Sequence, residues 1–249
     1  MYRLLVLLCV VLIVSCNETK PKISAQEIID KSIEVSGGHK YKGSKITFDF
    51  REIQYTSESD GNRHILSRII KQDSLIIKDV ISPNGFQRFV NDSLVQLADT
   101  TANKYANSVN SVHYFSRLPY GLNDRAVKKK YLGKTIIKNQ EYYKIEITFQ
   151  EVGGGDDFDD VYIYWFNTST FKPDYLAYEF HVNDGGKRFR EAYNERYVNG
   201  IRFVDYANFK PLEKGASIYD MDKLFQNKEL ELLSKIELRN VVVNQGNYN

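Results

Sequence analysis

Between residues 141 and 210 the chain carries four runs rich in Tyr, Phe, Val and Ile, each cut from the next by Gly, Asn, Asp or Pro. The cuts fall at Gly153-Gly154-Gly155-Asp156-Asp157, at residues 167–173, at Asn183-Asp184-Gly185-Gly186 and at Asn199-Gly200. Strand-forming residues broken at short intervals by turn chemistry read as a β-meander. Residues 161–166 depart from simple alternation, because Val161, Ile163 and Trp165 make one face apolar and Tyr162, Tyr164 and Phe166 make the other apolar too. Such a strand is covered on both sides. Either helices cover one face and a cavity taking an apolar ligand lies on the other, or the sheet closes on itself and fills its interior with side chains.

Upstream, Ser24 with Glu27 three residues on forms a capping box, and Ile23 against Ile28 forms a hydrophobic staple. Ala25, Ile28, Ile29, Ser32 and Ile33 then share a helix face, and Gly37-Gly38 ends the helix. Alternating Ile46, Phe48 and Phe50 begin a first set of strands, followed by apolar runs at residues 65–70, 75–81, 86–90 and 94–97. From 102 to 118 the period becomes helical through Tyr105, Val109, Val112 and Ser116, until Pro119 and Gly121. Strands resume at 131–138 and 142–150. After the meander come a short helix around 221–225 and a closing strand marked by Ile236, Leu238, Val241 and Val243. The expected fold is mainly β (α+β): a large curved antiparallel sheet or half-open barrel with two or three helices packed on one face.

Composition adds two points. With 249 residues, 42% hydrophobic and 27% charged, the chain can bury one sizeable core. Its net charge of +2, with no basic cluster beyond Lys128-Lys129-Lys130, lacks the electrostatic footprint of a nucleic-acid binder. Tyr (18) outnumbers Phe (14), which favours half-wet aromatic surface in a groove as well as a dry core.

Arg3 and the apolar run 4–14 have the pattern of a secretory signal peptide. The run ends in Ile13-Val14-Ser15-Cys16, which resembles the bacterial lipobox and implies cleavage before Cys16 and lipidation of it. Residues 1–15 then read as signal peptide, 16–22 as a lipidated tether and 23–249 as one antiparallel-sheet domain. The other cysteine, Cys9, lies in the run that is cut away, so no disulfide is expected. Asn17 stands where enteric sorting signals for the inner membrane carry Asp, which implies the outer membrane, facing the periplasm or the outside.

His39, His64, His113 and His181 show no metal-ligand spacing, and His113 beside an apolar helix face reads as a core or edge histidine. No nucleophile elbow, phosphate loop, dinucleotide fingerprint or zinc-protease motif is present. Asp156, Asp157, Asp159 and Asp160 supply hard oxygen ligands of the kind that hold calcium, although their spacing is not that of an EF-hand and a hairpin tip explains them equally. No cofactor is expected. In residues 187–196, Arg188 and Arg190 share a strand face with Asn194 and Arg196; they can grip an anionic headgroup, or be solvated and paired with acidic residues across the strand.

The chain resembles an uncharacterised family of Gram-negative envelope lipoproteins. The resemblance rests on Ser36-Gly37-Gly38, Phe48-Asp49-Phe50-Arg51, residues 153–160 leading into Tyr164-Trp165-Phe166, Asp174-Tyr175-Leu176-Ala177-Tyr178, Arg188-Phe189-Arg190-Glu191-Ala192-Tyr193-Asn194, and Asn199-Gly200-Ile201-Arg202-Phe203. In layout it is also similar to the lipoprotein-carrier (Lol-type) fold, whose half-open barrel packed by helices holds acyl chains. The layout implies a lipid-anchored, non-enzymatic envelope protein that holds an apolar or amphipathic ligand. Tyr162, Tyr164, Phe166 and Tyr178 are the expected wall, and Arg51, Arg188 and Arg190 the expected headgroup contacts. The alternatives are an envelope hydrolase or isomerase with a carboxylate, Arg and Tyr site, and a structural subunit of an outer-membrane complex.

Overall fold

The computed structural model describes residues 23–60, 63–155, 158–181 and 185–246. The lipobox with Cys16, the carboxylates Asp156 and Asp157, and the turn residues Asn183 and Asp184 lie outside the described residues.

Helix α1 (Ala25–Val35) starts as its residues dictate. Ser24 Oγ accepts from the Glu27 amide at 3.2 Å while the Glu27 carboxylate accepts from the Ser24 amide at 2.8 Å, closing the capping box. Its buried face is Ala25, Ile28, Ile29 and Ser32. Six strands follow: β1 (Ser44–Phe50), β2 (Ile53–Ser59), β3 (His64–Gln72), β4 (Leu75–Ser82), β5 (Gly85–Val90) and β6 (Ser93–Val95). Helix α2 (Asp99–Ser116) comes next, three residues earlier at its start than the period indicates. Then come β7 (Val127–Ile137), β8 (Gln140–Phe149), β9 (Val161–Asn167), β10 (Pro173–Phe180), β11 (Gly186–Val198), β12 (Ile201–Pro211), α3 (Met221–Gln226), β13 (Leu230–Ile236) and β14 (Leu238–Gln245). The meander thus holds five strands, β8 to β12, joined at the four expected turns. Its tightest turn is Asn199-Gly200, both at positive φ (48° and 79°), which closes Val198 onto Ile201 in the primed geometry that suits strand twist.

All strand pairs are antiparallel and form two seven-stranded sheets, β14-β1-β2-β3-β4-β5-β6 and β13-β12-β11-β10-β9-β8-β7. The chain passes from the second sheet into the first through one residue, Glu237, between β13 and β14. That corner is pinned by Asp205, whose carboxylate accepts from the Leu238 amide at 2.9 Å and from Arg196 at 3.1 Å. β6 and β7 remain the free edges, so the barrel stays open, and α2 is the segment that connects them.

β9 explains how a doubly apolar strand is housed. Tyr164 and Phe166 face inward and pack in one cluster with Ile28, Ile29, Leu118 and Leu122 from the α1 and α2 side. Ile163 and Trp165 face outward and are sealed by Ile218 and Met221, at the start of α3, together with Phe189 and Ala177. The outer face is therefore covered by the chain's own short helix and needs no ligand. Each such fully buried side chain contributes about 1.5–3 kcal/mol. Asp222 fastens α3 in place, accepting from Lys144 Nζ and Thr135 Oγ1, each at 2.9 Å.

α2 packs chiefly on the first sheet, against β3, β4 and β5, and reaches the second through Tyr114 and Phe115. The fully buried Asp79 carboxylate accepts from Arg68 Nε at 2.8 Å and from Arg88 Nε at 2.7 Å; Arg68 then donates to Ser108 Oγ of α2 at 2.8 Å. Arg88 stacks over Tyr105 of the same helix, 3.4 Å from the ring centre. His113, fully buried and bonded to the Ser67 carbonyl at 3.0 Å, is a core histidine as its sequence position indicates.

Removing one member of a buried ion network strands the others, at about 3–5 kcal/mol. Asp79→Ala should lose stability of this order in urea denaturation, and Asp79→Asn less. Burial holds the His113 imidazole down to about 3. Below about pH 6.5 the unfolded chain binds a proton there that the folded chain refuses, so stability falls as pH drops, by about 1.4 kcal/mol per pH unit from this group. His113→Gln should lose less stability than wild type between about pH 6.5 and 5 in urea denaturation.

Candidate functional site

Because α2 is fastened to the first sheet, a gap opens between it and the second. The gap is an open cavity of about 530 Å3, bordered by Asn107, Asn110, Tyr114 and Phe115 of α2 and by inward residues of β9, β10 and β11. Antiparallel register brings the inward residues side by side, with Tyr162 opposite Tyr178 and Tyr178 opposite Arg188. The rings of Tyr162 and Tyr178 stack with centroids 5.6 Å apart, and Tyr164 and Phe180 extend the row on either side. Phe50 and Arg51, from the β1–β2 turn of the first sheet, complete the rim.

Six of the seven residues expected at a ligand site from sequence therefore border one cavity: Tyr162, Tyr164, Tyr178, Arg51, Arg188 and Arg190. Phe166 does not. It lies fully buried below, stacked on Tyr164 at 6.0 Å within the core packed by α1.

The electrostatics of this wall are unusual for a strand surface. Among the described residues, no carboxylate lies within 4 Å of the guanidinium group of Arg51, Arg188 or Arg190. Arg188 and Arg190 make no cross-strand ion pair among the described residues, because their face of β11 lines the concavity, where neighbours are aromatic; Arg51 sits in the β1–β2 turn at the rim. Arg190 donates to Tyr178 Oη at 3.0 Å and lies 5.0, 5.3 and 6.0 Å from the ring centres of Tyr178, Phe115 and Tyr206. Arg188 lies over Phe180 and Arg51 over Phe50, at 5.0 and 5.1 Å. Arg196, by contrast, is committed to Asp205 at the sheet corner.

Two lining residues bury polar atoms without a hydrogen-bond partner of normal geometry, Arg190 Nε and Asn208 Oδ1, and the buried Tyr114 and Tyr164 hydroxyls meet chiefly each other. Left dry, each unpartnered atom costs about 1–3 kcal/mol. The cavity is thus built for water or for a ligand carrying polar groups. Burial pushes the Tyr162 and Tyr164 phenols far above their ordinary range, so both remain neutral donors.

Of the acidic residues considered for metal, Asp159 and Asp160 are described, and the hairpin of β9 and β10 sets His181 beside them. The imidazole Nδ1 is 3.4 Å from Asp159 and 3.6 Å from Asp160. The three offer ligand atoms within 4.8 Å of one another at the cavity rim, with Asp159 and His181 exposed and Asp160 buried. The imidazole thus makes a close polar contact with both carboxylates. Sequence reasoning overlooked His181, although the pairing of Val161 with Glu179 places it there once the hairpin is drawn.

Taken together, these features define an open, helix-packed antiparallel half-barrel with an aromatic, cation-bearing cavity. The chain belongs to a family of unknown function, DUF6503, whose pattern matches residues 2–238. In sequence, no curated protein matches it. Among solved structures it is similar to a DUF1329 family protein from Desulfovibrio piger, with 9% identity over 89% of this chain and 94% of that one and a TM-score of 0.50. It is also similar to a LolA superfamily protein from Nitrosomonas europaea (14% identity, 90% and 92% covered, TM-score 0.48). A third is an outer membrane lipoprotein-sorting protein domain from Vibrio parahaemolyticus (8% identity, 90% and 94% covered, TM-score 0.47). At these identities the likeness is one of fold. Among the described residues no helix is long and apolar enough to cross a membrane.

A guanidinium kept without a carboxylate and with a buried unpartnered nitrogen does not serve stability. Arg190→Met, of similar reach, should match or exceed wild-type stability within about 1 kcal/mol in urea denaturation. A loss above about 2 kcal/mol would mean that the ring contacts hold Arg190 for structural reasons.

Proposed function

We propose that this is a lipid-anchored binding or carrier protein of the cell envelope, which holds an amphipathic anion between its second sheet and helix α2. The apolar part of the ligand lies along Tyr162, Tyr164 and Tyr178. Its anionic group is taken by Arg190, with Arg188 and Arg51 nearer the rim. The observation that carries the reading is the set of three guanidinium groups around one aromatic cavity, none with a carboxylate within 4 Å among the described residues. A cavity of about 530 Å3 is within the roughly 300–1,000 Å3 of small-molecule sites, and its few convergent polar groups on an aromatic lining are what such sites use for orientation. The lipid anchor at Cys16 and the outer-membrane address rest on the N-terminal pattern.

The ligand reading is tested with a long-chain fatty acid and a monoacylglycerol of equal chain length. Wild type should bind the acid at least about tenfold more tightly, a preference worth about 1.4 kcal/mol, and Arg190→Met should erase the preference while retaining the neutral lipid. Equal affinity for the two lipids, or a preference that survives in the variant, would refute it. Radiolabelled palmitate retained by Cys16→Ser would refute the anchor.

A further inference from the structure

A second chamber of about 440 Å3 adjoins the aromatic cavity, and Asn110, Tyr114, Phe149 and Gly154 line both. Its character is different. Arg117, at the C-terminal end of α2, presents a guanidinium that is already fixed in orientation: Nε donates to the His113 carbonyl at 3.1 Å, and NH1 meets His64 Nε2 at 2.6 Å. The other terminal nitrogen makes no hydrogen bond among the described residues, and no carboxylate there lies within 4 Å of Arg117. The hydroxyl of Tyr41, a lining residue, is buried without a partner of normal geometry, while that of Tyr114 is directed to Tyr164. Asp124 is the acidic group on the same wall; it stands outside ion-pairing range of Arg117.

We propose that this chamber is a second anion subsite, with Arg117 as its positioned cation, and that it takes a carboxylate. One fixed cation, with Asp124 facing it, suits a single negative charge better than a phosphate dianion. A planar carboxylate also matches the fork that NH1 and NH2 present, and the Tyr41 hydroxyl supplies a further donor. Burial lowers the Arg117 pKa and raises that of Asp124, so the bare pair is poorly compensated as it stands.

The carboxylate has two sources that the shared wall leaves open: the far end of an amphiphile seated in the aromatic cavity, which rests on the reading above, or a free small carboxylate, which does not. Sodium acetate, palmitate and a series of α,ω-dicarboxylates graded in chain length are titrated into wild type, Arg117→Gln and Arg190→Met. If the subsite takes the ligand's far end, one dicarboxylate binds wild type about tenfold more tightly than palmitate, and Arg117→Gln removes that gain while palmitate still binds. If it takes a free carboxylate, acetate saturates wild type and Arg190→Met but not Arg117→Gln, and no dicarboxylate gains over palmitate. Asp124→Asn, which removes a like charge, should tighten acetate several-fold in that case. A folded Arg117→Gln that binds acetate and every dicarboxylate as wild type does would overturn the subsite. Should Arg117→Gln not fold, Arg117→Lys keeps the charge and loses the fork; unchanged affinities in it overturn the subsite equally. Failure of palmitate to bind wild type would strike at the aromatic cavity and leave the acetate arm to judge Arg117.

Discussion

The buried carboxylate of Asp79 decides where helix α2 lies. It holds two guanidinium groups at 2.7–2.8 Å, and through them Ser108 and Tyr105 of the helix are bound to the first sheet. Ion networks of this kind contribute little net stability compared with apolar packing, but they fix geometry, because a displaced partner leaves a bare charge in the interior. An apolar helix could slide across the concavity to whichever sheet offered more surface. This helix is held on the first sheet and meets the second through Tyr114 and Phe115, beside which the inward aromatic wall stays open.

The two faces of the second sheet are consequently unequal. Outside, Trp165 and Phe189 are closed over by Met221 and its neighbours, with the short helix tied down by Lys144 and Asp222. Inside, the same strands carry Tyr and Arg, whose polar atoms lack complete bonding. Proteins satisfy nearly all buried polar groups, and although Trp165 Nε1 outside is an exception too, Arg190 Nε and Asn208 Oδ1 are exceptions that border open space, where local chemistry yields to something other than folding.

Much of this could be read from residue order. Ser24 and Glu27 declared α1, and the Asn-Gly and Gly-rich turns marked the hairpins, because capping and turn chemistry act within a few residues. Adjacent strands of a meander stack alternate positions on one face, which is why Tyr162, Tyr164, Tyr178, Arg188 and Arg190 could be named together. β13 was missed since five of its seven residues are exposed, leaving its apolar positions without a period. Division into two sheets was equally hidden: the corner at Glu237 depends on Asp205 and Arg196 from other strands. Phe166 was placed on the wall by its alternation, yet α1 covers that end of β9. Arg117, His64 and Asp79 meet their partners only across the fold, and no spacing along the chain announces such meetings.

The pairing of β1 with β14 has a kinetic side. Asp49 and Asn240, bonded across that pair, lie 191 residues apart in the chain. The second sheet's meander can assemble hairpin by hairpin from neighbouring segments, whereas the first sheet gains β14 only after every other strand has been made. Long-range pairing of this kind is slow, since loop closure must precede any contact that rewards it. The opening strand, paired early with β2, thus keeps its other edge bare through the making of every strand between, and the native first sheet is closed by a segment that the second sheet has already carried into place.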